Sequence, residues 1–310
     1  MAITAAMVKE LRELSGAGMM DCKKALNETN GNMEEAIEFL RKNGQAKAEK
    51  KASRIAAEGI VKVAVKESKA AIVEVNSETD FVAKNEKFQT YVGKVAEQAL
   101  ASEAADLDAF MEEAWLEDTS KTVKDVLVEQ VAVIGENLKI RRFEKASAEN
   151  GCIVDYIHGG GRIGVVVVAE SDVVNDTVNE AMKNIAMQIA ALNPKYIDRS
   201  EVSADYIAHE KEILLAQIMN DPKESQKPEK VINGMIEGRV NKELKEICLV
   251  DQVYVKAEDG KQTVGKYLEA VSKEVGAKVA VKKFIRFETG EGLEKKNEDF
   301  AAEVAAQMNQ

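Results

Sequence analysis

The sequence predicts an α+β protein built from a small helical module, a core of two related subdomains and an inserted antiparallel helical hairpin. Helical periodicity in short stretches fills residues 1–44. A pair of strands followed by a helix occurs twice, about 92 residues apart when counted from Gly59 to Gly151. The stretch 203–247 is charged and helical throughout. The repeated pattern indicates two units of one architecture.

The first 44 residues predict three short helices. Thr4 is placed to cap the first helix, and Asn32 followed by Glu35 is typical of the start of the third. We expect the third helix to end at Asn43 and Gly44, because glycine favours the left-handed conformation that stops helices. The side chains predicted to face inward are Val8, Leu11, Leu14, Cys22, Ala25, Leu26, Ile37 and Leu40.

The repeated unit is a β-hairpin followed by an amphipathic helix. Residues 59–65 and 71–75 are the first pair of strands, and residues 152–158 and 163–169 are the second. A strand at 253–255, a helix at 264–271 and a strand at 279–287 are expected to complete the second subdomain. The inward faces of the two helices after the hairpins carry Phe88, Val92, Val95 and Ala99, and Val178, Met182, Ile185 and Ile189.

The helical hairpin at 203–247 is interrupted by Asn220, Asp221 and Pro222. We expect the apolar stripes of its two helices to pack on each other. Whether the hairpin also mediates a homodimer is left open by the sequence. The inward positions predicted there are Ile207, Leu214, Ile218, Val231, Met235 and Leu244. These patterns divide the chain into a helical module (1–45), a basic helical linker (46–58), the first core subdomain (59–145), the second (146–200 and 249–290), the hairpin (201–248) and a C-terminal module (291–310).

Charge and composition exclude several classes of protein. Lys and Arg number 43 against 54 Asp and Glu, so the net charge is −11, which argues against direct binding of nucleic acid. Hydrophobic residues make up 45%, which is too many for a disordered chain. With two histidines and no G-x-S-x-G, H-E-x-x-H or P-loop string, we expect no catalytic residues, no metal site and no cofactor.

Cysteine usage and hydropathy predict a cytoplasmic protein. The three cysteines, Cys22, Cys152 and Cys248, are dispersed and match no disulfide or metal-ligand spacing. No apolar run approaches the ~20 residues of a membrane span, and residues 1–10 lack a signal-peptide core. We therefore expect no association with a membrane.

A formal G-x-G-x-x-G match runs from Gly159 to Gly164. A dinucleotide site needs a helix after the glycines, because the helix N-terminus receives the pyrophosphate. The residues that follow, four valines at 165–168, predict a strand. We therefore interpret the glycines as a hairpin turn. The alternative, an NAD(P)-dependent enzyme, would require a helix directly after Gly164.

The segment 76–85 lies where a strand ends and a helix begins. From its residues alone, Thr79 or Asp80 caps the helix and Phe81 packs into the protein's own core. The alternative is that Phe81 is exposed and contacts a partner.

Long strings spread over nearly the whole chain resemble bacterial elongation factor Ts. They are residues 11–13, 16–26, 74–76, 79–84, 134–137, 158–164, 284–287 and 290–292. The resemblance implies a guanine-nucleotide exchange factor for elongation factor Tu, the GTPase that delivers aminoacyl-tRNA. It also implies that the N-terminal module is UBA-like (ubiquitin-associated-like), that the hairpin is a coiled coil, and that no covalent catalytic step occurs.

The resemblance further implies roles for individual residues. In this family, the segment that matches Thr79, Asp80, Phe81 and Val82 reaches the GTPase near its switch region and dislodges the bound Mg²⁺. The N-terminal module touches the nucleotide domain, and the glycine turn touches a different domain of the partner. These further contacts are expected at Arg12, Met19, Met20, His158, Gly159, Gly160 and Arg162. The competing hypothesis is a UBA-like adaptor or holdase-type binding protein without exchange activity.

Overall fold

The computed structural model describes residues 3–294, which form a mixed α+β structure, as predicted. The helices are α1 Ala5–Ser15, α2 Met19–Glu28, α3 Met33–Lys51, α4 Asp80–Ala83, α5 Glu86–Ala101, α6 Leu107–Glu112, α7 Val123–Ile134, α8 Asp176–Leu192, α9 Ala204–Asn220, α10 Glu229–Ile247 and α11 Val264–Val275. The strands are β1 Glu58–Lys66, β2 Lys69–Ser77, β3 Ala114–Trp115, β4 Asp118–Thr122, β5 Lys139–Ser147, β6 Ile153–His158, β7 Ile163–Glu170 and β8 Ala280–Glu288. Two short 3-10 turns, Arg199–Glu201 and Leu249–Asp251, precede and follow the α9–α10 pair.

Two antiparallel sheets form the centre of the molecule. The first has the order β1-β2-β5 and the second β6-β7-β8. They face each other through a shared apolar layer that includes Val61 and Ile72 from the first sheet and Val166 and Phe287 from the second. α5 covers the outer face of the first sheet and α8 that of the second. Because both faces of each central strand are covered, β2 and β7 read as nearly continuous apolar runs.

The three N-terminal helices pack around Leu11, Leu26 and other small apolar residues. Thr4 and Asn32 cap α1 and α3 through their side chains, as the sequence predicts. Leu14, predicted to face inward, is exposed at the end of α1.

The prediction that α3 ends at Asn43 and Gly44 is wrong, because the helix continues to Lys51. A Cβ on Gly44 would lie 3.5 Å from the Cβ of Ala132 on α7. Gly44 therefore lies inside α3 where this helix packs on α7, and a methyl group there would make an ordinary van der Waals contact. The last turn of α3 also reaches the end of α7, where the Lys51 Nζ donates a hydrogen bond to the Gly135 carbonyl.

The α9–α10 pair is the predicted helical hairpin. Its helices pack on each other through Ile218 of α9 and residues such as Ile232 and Ile236 of α10. Val231, predicted to face inward, is exposed, because the buried positions of α10 recur every four residues from Ile232 to Leu244. The remaining buried positions of α10 are Val240 and Leu244.

The segment 249–290 adds β8 to the second sheet beside β7, as predicted. The prediction of a strand at residues 253–255 is wrong. Val253 makes one isolated bridge with Thr263. On the other edge of the segment, the side-chain amide of Gln188 on α8 pairs with the backbone: its Nε2 donates to the Val253 carbonyl over 3.0 Å, and its Oε1 accepts from the Val255 N–H over 2.7 Å. Tyr254 between them stacks on Tyr267 with the ring centroids 4.2 Å apart.

A fully buried carboxylate, Glu74 on β2, joins the first sheet to the residues that follow β8. A register shift in the β2–β5 pairing lets two consecutive arginines reach it, Arg141 at 2.9 Å and Arg142 at 2.6 Å. The Gly290 N–H also donates to Glu74 Oε1 over 2.8 Å. Burial raises the pKa of a carboxyl, but these hydrogen bonds and charges outweigh it and hold the pKa of Glu74 below its ordinary value.

The glycine string at 159–164 forms the turn between β6 and β7. Gly159, Gly160 and Gly161 all have positive φ, which favours glycine, and a strand follows them. A dinucleotide site requires a helix after the glycines, and strand β7 lies there instead. The hypothesis of an NAD(P)-dependent enzyme is therefore wrong. Within residues 3–294, no helix is long and apolar enough to cross a bilayer. The expected C-terminal module (291–310) lies almost wholly outside the described residues.

Candidate functional site

Phe81 is the most exposed large apolar side chain in the part of the chain that the structure describes, with 81% of its surface accessible. It lies on α4, a single helical turn between the end of β2 and the start of α5. Of the four α4 residues, Ala83 is the one that is buried. The interpretation that Phe81 packs into the protein's own core is therefore wrong, and the ring is free to contact another molecule.

Hydrogen bonds fix the backbone just before Phe81. Thr79 caps α4, because its Oγ1 accepts from the Val82 N–H over 3.3 Å. The same hydroxyl donates to Glu136 Oε1 over 2.6 Å, and Glu136 Oε2 accepts from the N–H groups of Glu78 and Thr79, each over 3.1 Å. In return, Glu78 Oε1 accepts from the Asn137 N–H over 2.6 Å. The residues after β2 and those after α7 thus hold each other in place.

Asp80 lies exposed at the first position of α4. Its Oδ2 accepts from the Lys84 Nζ over 2.7 Å. This hydrogen bond and the charge of Lys84 hold the pKa of Asp80 below its usual range. Asp80 is therefore a carboxylate at neutral pH, on the same short helix as the exposed ring. Val82, the next residue, is half-buried.

The N-terminal module presents its predicted contact residues to solvent. Met19 and Met20 begin α2 and are both exposed, 57% and 75%. Arg12 is also exposed, on α1. Ser15 and Gly16, at the turn before α2, line a cleft together with Glu86, the first residue of α5. The turn between α1 and α2 therefore lies beside the N-terminal half of α5, the helix that follows α4.

The β6–β7 turn is a separate exposed feature on the second sheet. His158, Gly159, Gly160 and Arg162 are exposed. The Tyr156 hydroxyl lies 3.0 Å from His158 Nδ1, which orients the imidazole. Gly161 anchors the turn, because its carbonyl accepts from the Val61 N–H over 2.7 Å. The structure thus presents two rigid surface features: the α4 segment and this turn.

This geometry is suited to contact with a protein. Among the described residues, no group of His, Cys, Asp or Glu could hold a metal ion. The features that stand out instead are exposed apolar side chains on α2 and α4 and a rigid polar turn. Exposed apolar groups held on fixed backbone are typical of surfaces that bind another macromolecule.

Comparison with known proteins gives the family. The family model described as Elongation factor TS matches residues 78–291. The chain is 51% identical to elongation factor Ts of Clostridium tetani over 308 residues and 51% identical to that of Clostridium novyi over 310 residues, covering 99% of both chains in each case. It is 50% identical to elongation factor Ts of Clostridium perfringens over 305 residues, 98% of each chain. The chain belongs to the elongation factor Ts family. The predicted role in translation, guanine-nucleotide exchange on elongation factor Tu, is thereby confirmed.

As a member of the elongation factor Ts family, the chain carries its predicted contact residues in three places. Thr79, Asp80, Phe81 and Val82 form one unit, whereas the N-terminal residues and the glycine turn lie apart from it. Sequence reasoning missed the contacts of Glu136, although this residue lies in one of the strings that resemble the family. A glycine after an amphipathic helix marks the end of α7. Nothing in the sequence, however, pairs Glu136 with Glu78 and Thr79, which lie 58 and 57 positions earlier in the chain.

Proposed function

We propose that this chain accelerates the release of GDP from elongation factor Tu by inserting the Phe81 ring beside the nucleotide site and dislodging the bound Mg²⁺. The observation that carries the proposal is the 81% exposure of Phe81 shortly after two residues, Glu78 and Thr79, that are hydrogen-bonded to Glu136 and Asn137. An apolar ring in water gains about 1.5–3 kcal/mol when it is buried. That free energy is available to stabilise a displaced arrangement of the partner's helices.

The rest of the mechanism follows from charge and linkage. Mg²⁺ bridges nucleotide phosphates and protein oxygens, so its displacement removes a large positive charge that holds the nucleotide. Asp80 carries negative charge into the same region. Because coupling between two ligands is reciprocal, a factor that weakens nucleotide binding is itself released when nucleotide binds. The mechanism needs no covalent catalytic step.

The further contacts and the domain layout belong to the same proposal. Arg12, Met19 and Met20 would touch the nucleotide domain of elongation factor Tu, and His158, Gly159, Gly160 and Arg162 a different domain. The layout is a UBA-like module over 1–45, two related core subdomains and a coiled-coil hairpin over 201–248, with α3 continuing past residue 45 into the linker. The protein would act in the cytoplasm. The helical hairpin could in addition mediate a homodimer.

The experiment follows the release of a fluorescent GDP from purified elongation factor Tu in the presence of millimolar Mg²⁺. The chain should accelerate release, and Phe81→Ala should remove most of the acceleration. When EDTA removes Mg²⁺, the Phe81→Ala variant should approach the wild-type chain, because the step that the ring performs has already occurred. A Phe81→Ala variant that accelerates release as well as the wild-type chain would refute the role of the ring.

A further inference from the structure

The short helix that carries Phe81, α4, is not stable without contacts to the rest of the protein. α4 is one helical turn, and a single turn is unstable in water because it fixes several dihedral angles for few hydrogen bonds. The ring itself contributes little anchoring, since most of its surface faces solvent. The direction in which the ring leaves the surface must therefore be set by contacts of the neighbouring residues.

Glu136 makes most of the contacts to Glu78 and Thr79, the two residues that precede α4. Its two carboxylate oxygens accept three hydrogen bonds, from the N–H groups of Glu78 and Thr79 and from the Thr79 hydroxyl. Hydrogen bonds to an ionised acceptor are stronger than neutral ones. Through the Thr79 hydroxyl, which also accepts from the Val82 N–H, the carboxylate is connected to α4 itself.

Glu136 is in turn fixed by its own neighbours. Gly135, with φ of 89°, ends α7 in the left-handed conformation and donates its N–H to the Val131 carbonyl. The Asn137 N–H is held by Glu78, and the Asn137 side chain donates to the Arg54 carbonyl over 2.8 Å. The carboxylate of Glu136 therefore projects from a backbone connected to α7, to the residues after α3 and to the residues after β2.

We propose that Glu136 is a positioning residue for exchange: it holds the turn before α4 so that Phe81 projects in one fixed direction. The inference rests on the proposed function of Phe81. When the turn is fixed before binding, less of the free energy gained by burying the ring offsets the ordering of the turn, and more is available to the step that releases GDP. Glu136 thus acts on the GTPase through the ring.

The chemistry of the three donors makes Glu136→Gln a sharp test. Glutamine has nearly the same shape but replaces one acceptor oxygen with an NH₂ group, which can only donate. With its amide oxygen toward the two N–H groups and its NH₂ toward Thr79 Oγ1, which can accept, the side chain keeps these contacts but loses the negative charge that strengthens all three hydrogen bonds. Glu97→Gln, at an exposed carboxylate on α5, is the matched control for loss of one negative charge.

The experiment is a double-mutant cycle measured by release of fluorescent GDP from elongation factor Tu at saturating concentrations of the factor. Glu136→Gln should slow exchange roughly tenfold, the effect of losing charge-assisted hydrogen bonds in the active arrangement. Glu97→Gln should leave the rate unchanged. In the Phe81→Ala background, Glu136→Gln should change the rate less than about twofold, because the ring that it positions is gone. Thermal unfolding of each variant shows the folded fraction, to which the rates are normalised.

The outcomes separate the inference from the proposed function. If Phe81→Ala slows exchange and Glu136→Gln does not, Glu136 is no positioning residue and the proposed function stands. If both slow exchange and their effects multiply, Glu136 acts independently of the ring, and the inference is overturned. If Phe81→Ala leaves exchange unchanged, the proposed function fails and the inference fails with it.

Discussion

Removing the Phe81 ring should separate function from stability. Because 81% of the side chain faces solvent, Phe81→Ala should change the free energy of unfolding by less than about 0.5 kcal/mol. In the complex, the same ring would be buried with a gain of about 1.5–3 kcal/mol. If that gain is realised in the step that releases GDP, exchange should slow by roughly 10- to 150-fold.

Phe88 provides the matched control. It is a phenylalanine on α5, seven positions along the chain and fully buried. Phe88→Ala should lower the free energy of unfolding by about 3–5 kcal/mol through loss of burial and the cavity left behind. Chemical denaturation gives the stabilities, and stopped-flow release of fluorescent GDP from elongation factor Tu gives the rates. A Phe81→Ala variant destabilised as much as Phe88→Ala, or one that is fully active, would refute the reasoning.

Three further predictions concern the fold. The pKa of Glu74 is depressed in the folded state, so its stabilising contribution is complete above its ordinary pKa of 4.5 and is lost as the pH falls through the lower folded-state value. Thermal unfolding midpoints should therefore decline on acidification below that pH, and Glu74→Gln should weaken this part of the decline while lowering stability at pH 7 by roughly 2–4 kcal/mol. Gly161→Ala should cost about 2–4 kcal/mol in denaturant unfolding, because φ is 105° and the new Cβ would lie 2.8 Å from the Ile60 Cβ. Gly160→Ala, with φ of 67° and open space around it, should cost about 1 kcal/mol, and equal costs would contradict the close approach of the turn to β1. Gly44→Ala should raise the thermal midpoint, with a gain of up to about 1 kcal/mol, because α3 is helical there and a Cβ at 3.5 Å from Ala132 makes an ordinary contact. A loss of stability would indicate that α3 and α7 approach each other at Gly44 too closely to admit a methyl group.

Much of the fold could be predicted because burial imposes a period on the sequence. The helices α5 and α8 each bury one regular face, and the central strands β2 and β7 are nearly continuous apolar runs, so both hairpins and both helices were identified. β5 was missed because it is an edge strand with four basic residues, Lys139, Arg141, Arg142 and Lys145, so its alternation is weak. The segment around Tyr254 was misread because a side chain, Gln188, satisfies the backbone that a strand would otherwise pair.

The site was harder to derive from local sequence. Thr79 as the cap of α4 follows from its residue type and its position. The exposure of Phe81 does not, because an aromatic residue at the start of a helix has the same local pattern whether it faces the core or solvent. The contact of Glu136 with residues 78 and 79 depends on how α7 packs beside β2, and a single sequence carries no signal of that arrangement.

The hydrogen-bonded turn that holds Phe81 affects how much of the free energy of binding is available for nucleotide exchange. A flexible aromatic residue would be ordered only on binding, and part of the free energy of its burial would offset that loss of entropy. Here the hydrogen bonds of Glu136 and Glu78 order the turn during folding. In the proposed complex, the free energy gained by burying Phe81 would therefore be available to act on the partner's nucleotide site. A substitution that loosens residues 78–80 should therefore weaken exchange with little effect on the packing of the two sheets, because neither these residues nor Phe81 belongs to the apolar clusters on the two faces of the first sheet.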